Sequence, residues 1–278
     1  MTQELSPPVP DLSAPAPDFD VREFARTAVG SHRAEIDLDA FDAEPLSGET
    51  VRVLAFLRSV EHATMNHLRD VLVTPSHKDA RVTAFLTTWA YEKFWIADAL
   101  SAVLAKHPSV VVGAQSLRHR IGGGVRAVID RFSPIREALV ANAIGDDVIA
   151  VHMTTGAVDT WLSQTAYSRV EATEPHPELT RVLERIREVK DRHLQFFAAQ
   201  AEFRLGESAG ARALTRKRMA RAALPVGSDY QPRSEVSYFF SQLFDGAQQL
   251  LDEVDARIQA LPGLDGLTLV RSRYEATA

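Results

Sequence analysis

Apolar positions recur at spacings of three and four residues over most of the chain, the period of α-helices with a buried stripe. The pattern predicts a short helix near 19–31 and long helices over about 48–73, 79–106, 146–171 and 177–206. Two more follow at about 208–223 and 234–261. Boundary chemistry agrees. Pro75 and Pro108 stop the first two long helices, and Asp79 is a good N-cap for the second. Asp146 and Asp147 put negative charge at the start of the third, while Pro177 sits in the first turn of the fourth and Gly206 lies beyond its end. A further helical stretch over 114–143 is interrupted by Gly122, Gly123 and Gly124 and bent at Pro134. Strand signals are confined to Val110, Val111 and Val112, too isolated for a sheet, and no fixed repeat suggests a solenoid. The fold class is therefore all-α: an up-and-down bundle in which 114–143 serves as a crossover between the second and third long helices.

The apolar stripes are interrupted in an informative way. The first long helix reads Leu54, Leu57, Glu61, Thr64, Leu68 and Leu72 along its buried face. The second reads Val82, Leu86, Trp89, Lys93, Ile96, Leu100 and Leu104, and the third Ile149, Met153, Gly156, Thr160, Gln164 and Tyr167. The fourth reads Leu179, Leu183, Ile186, Lys190, His193, Phe197 and Gln200. Glutamates and lysines are seldom buried without a partner. Glu61, Lys93, Thr160 and Lys190 fall at similar depth in two hairpins, so a shared polar chamber is the economical reading. Two lysines against one glutamate leave an excess of positive charge, which burial penalises. Either a lysine loses its proton, becoming a general base or amine nucleophile, or an anionic ligand completes the balance. The candidate catalytic residues are Glu61, Lys93, Lys190 and His193, the last as a proton shuttle. Trp89, Ile96, Thr160, Gln164, Tyr167 and Phe197 are the candidate substrate-binding residues.

Four segments carry a family resemblance: VEHATMNHLRDVLVTPSHKD (60–79), VTAFLTTWAYEKFWIADAL (82–100), GAVDTWLSQTAY (156–167) and VKDRHLQFF (189–197). They resemble actinobacterial ferritin-like proteins. That resemblance implies a ferritin-like four-helix bundle with additional flanking helices. The di-iron pattern of that superfamily asks for Glu on the first and third helices and Glu-x-x-His on the second and fourth. Mapped onto this chain, Glu61 and His193 are kept, whereas Lys93, Ile96, Thr160 and Lys190 replace the remaining ligands. An ammonium repels a cation and donates nothing to it, so the resemblance implies a degenerate site with no metal and no cofactor. The reading is a metal-independent enzyme acting on a small carbonyl-bearing or carboxylated molecule by acid–base or imine chemistry, as an isomerase, cyclase or lyase. Two alternatives stay open. One is a di-iron oxidase or oxygenase with unusual ligands, in a register that uses Glu92, puts Trp95 in the histidine slot and recruits His62 or Glu188. The other is a non-catalytic binding or structural bundle with a relic ion-pair core.

Composition narrows the partners. The net charge of −6 argues against general nucleic-acid binding, and the absence of cysteine rules out disulfides and thiolate metal sites. No apolar run is long enough to span a membrane. No secretory signal is read at the N-terminus, so a cytoplasmic location is expected. The expected partner is a small molecule, and homodimerisation stays open. Residues 1–18, rich in proline, are expected to form a disordered tail, with the helical domain over 19–265 and a C-terminal tail over 266–278. The basic run Arg212, Arg216, Lys217, Arg218 and Arg221 reads as a solvated helix face, with an anionic partner as its alternative. His62, His67, His77, His107, His119, His152 and His176 show no clear metal-ligand spacing, and most read as surface or satisfied core residues.

Overall fold

A computed structural model describes residues 19–108 and 145–277. The crossover expected over 114–143 and the tail expected over 1–18 lie outside the described residues. All regular structure among the described residues is helical. A short α1 (Val21–Arg26) and α2 (Leu38–Ala43) precede α3 (Gly48–His62), α4 (Thr64–Leu72) and α5 (Ala80–Leu104). After the undescribed stretch come α6 (Asp147–Thr173), α7 (Pro177–Glu207) and α8 (Ala209–Met219). The chain closes with α9 (Arg233–Phe244), α10 (Gln248–Gln259) and α11 (Leu269–Thr277). None of the described helices is long and apolar enough to cross a membrane.

The long helices form two packed pairs, α3 on α5 and α6 on α7. Contacts between their ends set the directions. The Leu46 N–H donates to His107 Nε2 at 3.0 Å, so α3 begins where α5 ends. The Ser47 N–H donates to Glu174 Oε2 at 3.1 Å, so α3 also begins where α6 ends. Arg204 donates to Asp79 Oδ2 at 2.6 Å, tying the start of α5 to the end of α7. Hence α5 and α6 run parallel, and α3 and α7 run the opposite way. Pro108 and Gly145 accordingly lie at opposite ends of the assembly.

Helix starts follow the chemistry of their caps. Asp79 Oδ1 accepts from the Val82 N–H at 3.0 Å, and His176 Nδ1 accepts from the Leu179 N–H at 3.2 Å just before Pro177. Each satisfies a backbone donor that the helix itself leaves unpaired. Gly156 brings α6 and α7 together: a Cβ there would lie 2.3 Å from the Phe197 ring.

Three expected elements differ. The helix read over 48–73 breaks at Ala63, whose ψ of −11° ends α3 and starts α4. The loop before α9 packs into that break. Gly227, at φ +91°, sits so close that an added Cβ would come 2.6 Å from Ala63 Cβ. The helix read over 234–261 divides into α9 and α10 around Gly246, at φ +71°. Residues 269–277, expected as tail, form α11, with Leu269 and Val270 buried. Asp255 anchors it, its two carboxylate oxygens accepting from the Val270 and Arg271 N–H groups at 2.9 and 3.0 Å.

Candidate functional site: a paired ionic core beside a cationic cleft

Four charged side chains meet at the centre of the long helices, one from each: Glu61, Lys93, Asp159 and Lys190. Their residues are 1%, 2%, 3% and 1% exposed. Lys190 Nζ lies 2.6 Å from Glu61 Oε1, and Lys93 Nζ lies 3.2 Å from Glu61 Oε2 and 3.1 Å from Asp159 Oδ2. The other Asp159 oxygen accepts from the Val226 N–H at 2.8 Å. Tyr167 donates its hydroxyl to Glu61 Oε1 at 3.1 Å.

The surplus positive charge expected from the sequence is therefore absent, because Asp159 supplies a second carboxylate. Two cations face two anions, and neither a deprotonated lysine nor an anionic ligand is needed for balance. Burial works to raise the Glu61 carboxyl, but Lys190 and Lys93 outweigh it and hold it down at about 2. Burial likewise opposes the charge on Lys93, yet Asp159 and Glu61 together push it above its ordinary value. Lys190 has Glu61 alone as a close partner and is repelled by Lys93, so burial prevails and it is lowered.

Asp159 left one legible signal: it is the sole Asp, Glu, Lys or Arg between Asp147 and Arg169. No apolar stripe marks it, because α6 is buried on nearly every side. A helix with no polar face does not disclose its rotation.

Most of the other expected site residues surround this core. Trp89 presents its ring 5.1 Å from Lys93 Nζ, and the Tyr167 ring lies 5.8 Å from Lys190 Nζ, distances suited to cation–π attraction. Burial pushes the Tyr167 hydroxyl well above its ordinary pKa, with the Glu61 charge adding to it. Ile96 and Phe197 are buried packing. Thr160 turns its hydroxyl back to the Gly156 carbonyl at 2.7 Å. Gln164 departs from expectation: its amide donates to Asp191 at 2.5 Å on the exposed side of α6 and α7. It lies one turn beyond Thr160, where the helix has rotated it out of the core.

His193 is buried too, but it pairs with Glu92 rather than with a lysine. Its Nε2 lies 2.7 Å from Glu92 Oε2. The other Glu92 oxygen accepts from the Val29 N–H at 2.8 Å and from Arg192. Burial pushes His193 down to about 4. The ring is neutral near pH 7, donates Nε2–H to Glu92, and keeps a buried Nδ1 without a hydrogen-bond partner. Glu92 is thus an inward residue, consumed by the segment after α1 and by α7. Among the described residues no three His, Asp or Glu side chains converge as a metal site.

A cleft of about 580 Å³ opens beside the core, between α4, α6, α8 and the loop before α9. His67 of α4 and His152 of α6 line it, facing Lys217 and Arg218 of α8 and Arg221 just after it. The basic run divides here. Arg212 donates to the Leu205 carbonyl at 2.8 Å and Arg216 to the Asp265 carbonyl at 2.9 Å. Lys217, Arg218 and Arg221 are exposed and enter no ion pair among the described residues.

The two imidazoles stand half-buried at the cleft. Burial pushes His67 down to about 4. Burial, then repulsion from His67 and Arg218, pushes His152 down to about 3. Both are neutral near pH 7. Val226 and Gly227 form the wall toward the core. Asp159 therefore joins the two features, one oxygen on Lys93 and the other on the cleft wall. A smaller cleft of about 230 Å³ lies between α3, α6 and α9, where Arg169 and Asp245 line it. Neither cleft is lined by Glu61, Lys93 or Lys190.

Compared with protein-family models, with curated proteins and with solved structures, the chain matches none.

Proposed function

We propose that the protein is a metal-independent helical bundle of ferritin-like type. On this reading it binds a small carbonyl-bearing or carboxylated molecule in the cleft of His67 and His152 and acts on it by acid–base chemistry. The observation that carries the reading is a contrast in pairing. The core charges are matched two against two, whereas the adjoining cleft presents two neutral imidazoles and three cations with no described ion-pair partner.

The ferritin-like assignment rests on two supports. Parallel α5 and α6, each antiparallel to its hairpin partner, need a long crossover between them, as in that topology. Of the positions mapped to metal ligands by resemblance, Glu61, Lys93 and Lys190 also meet at one depth. Lys93 and Lys190 then serve as fixed internal cations that tie α3, α5, α6 and α7 together. Their amines are engaged with carboxylates, so imine chemistry is assigned to neither.

In the cleft, a neutral imidazole can take a proton from the carbon next to a carbonyl, while an arginine stabilises the oxyanion that forms. Returning the proton to another carbon completes an isomerisation; loss of a β-substituent makes the reaction a lyase. A second reading, binding without turnover, is favoured by the low pKa values of both imidazoles, which make them weak bases when the cleft is empty.

Calorimetric titration with a panel of small carboxylates and keto acids tests the proposal. Saturable binding is expected, lost in Arg218→Ala/Arg221→Ala with the unfolding midpoint unchanged. No binding, or equal binding by that variant, would sink the cleft assignment.

A further inference from the structure

Resting on that reading of the cleft, we infer that its ligand carries a dianionic phosphoryl group, bound together with one proton that lodges on the His67–His152 pair. Thr74 Oγ1 donates its one hydrogen to the Val71 carbonyl at 2.6 Å. The Val71 carbonyl and Ser76 Oγ, at 2.6 and 3.1 Å, are both nearer acceptors for that hydrogen than His152 Nε2 at 3.3 Å. This arrangement favours the Nε2–H tautomer of His152, with the lone pair on Nδ1. His67 makes no hydrogen bond among the described residues; its ring packs edge-on to Trp89 at 6.3 Å. Two imidazoles with unused nitrogens at the wall of a cleft are an incomplete polar site.

The charge around them sets the class of ligand. Arg218 and Arg221 offer guanidinium groups and Lys217 an ammonium, a set suited to phosphoryl oxygens. Asp70 of α4 and Asp229 and Tyr230 of the loop before α9 share the lining; all three have interaction partners already. Behind His67 stand Asp159 and Lys93, whose opposite charges act on it in opposite senses. Lys217, Arg218 and Arg221, with no ion pair among the described residues, attract an anion, and the second negative charge of a dianion set against two neutral rings draws a proton from solvent. The imidazoles are the groups in the lining able to take the matching proton near pH 7. Burial keeps both neutral, with His67 and Arg218 also disfavouring a charge on His152, and an anion beside the rings offsets that penalty for one of them. A protonated imidazole also becomes a second donor to the phosphoryl oxygens. About 580 Å³ is room for that group and a small organic remainder.

Calorimetry in two buffers of different ionisation enthalpy tests this on the intact chain, with sulfate, phenylphosphate and benzoate as probes. Sulfate is a dianion that does not titrate near neutrality, so any proton taken up with it goes to the protein. Sulfate and phenylphosphate are expected to bind more tightly than benzoate, sulfate with uptake of close to one proton. Sulfate affinity should fall about tenfold per pH unit above pH 7, the slope of a one-proton linkage. His152→Gln and His67→Gln should reduce the uptake and weaken sulfate at least about fivefold, with benzoate less affected. Dianion binding without proton uptake overturns the inference, as does uptake unchanged in both variants. Benzoate binding where neither dianion binds overturns it while leaving the cleft reading intact. If none of the three binds, both fall.

Discussion

Lys93 Nζ lies 3.1 Å from Asp159 Oδ2, and the other oxygen of that carboxylate holds the Val226 N–H at 2.8 Å. One buried aspartate thus closes the charge balance of the core and fixes a wall of the cleft.

Removing one member of the core should cost more than removing a matched pair. Lys93→Met leaves two buried carboxylates facing one lysine, and should destabilise the fold by about 3–5 kcal/mol. Lys93→Met/Asp159→Asn withdraws one charge of each sign, keeps the Glu61–Lys190 pair and preserves an acceptor for Val226. It should be less destabilised than the single variant. Urea unfolding of both measures this; equal losses would show that charge balance does not govern the core.

Acid should destabilise the fold in two stages. His67, His152 and His193 are depressed from 6.5 to about 4, 3 and 4. The unfolded chain then binds protons that the native state refuses, so stability falls as pH drops from about 6.5 toward 4. Glu61 is depressed from 4.5 to about 2. Its contribution, on the order of 3 kcal/mol, is present above about pH 4.5 and lost as pH falls through about 2. Glu61→Gln should remove the lower stage and leave the upper one, as read from unfolding free energy across pH.

Gly156→Ala should force the Phe197 ring away from α6, since the new Cβ would sit 2.3 Å from it. A loss of about 1–3 kcal/mol is expected from such overpacking. Phe197→Leu in the same chain should return part of it, and thermal unfolding of the single and double variants decides.

Gly227→Ala combines a left-handed backbone, φ +91°, with a 2.6 Å approach to Ala63 Cβ. The cleft wall must shift. Sulfate affinity should drop at least about threefold although no charged lining residue is touched, with a stability loss of about 1–2 kcal/mol. Unchanged affinity would mean that this wall does not shape the site.

The chain's own pattern determined the helices, most of their caps and the burial of Glu61, Lys93, Lys190 and His193. Spacing along one axis suffices for that, because each helix sorts its residues into faces by local geometry. Tertiary structure decided what each buried charge meets. Glu92 and Lys93 are neighbours in sequence and both buried, yet they serve different clusters because α5 is covered on both sides. Asp159 was hidden in a helix buried all round, whose rotation is set only by packing against Gly156–Phe197 and Lys93. His67 and His152 became a pair through the break at Ala63 and the placement of α8 and the loop before α9. Those are long-range contacts, and periodicity carries no record of them.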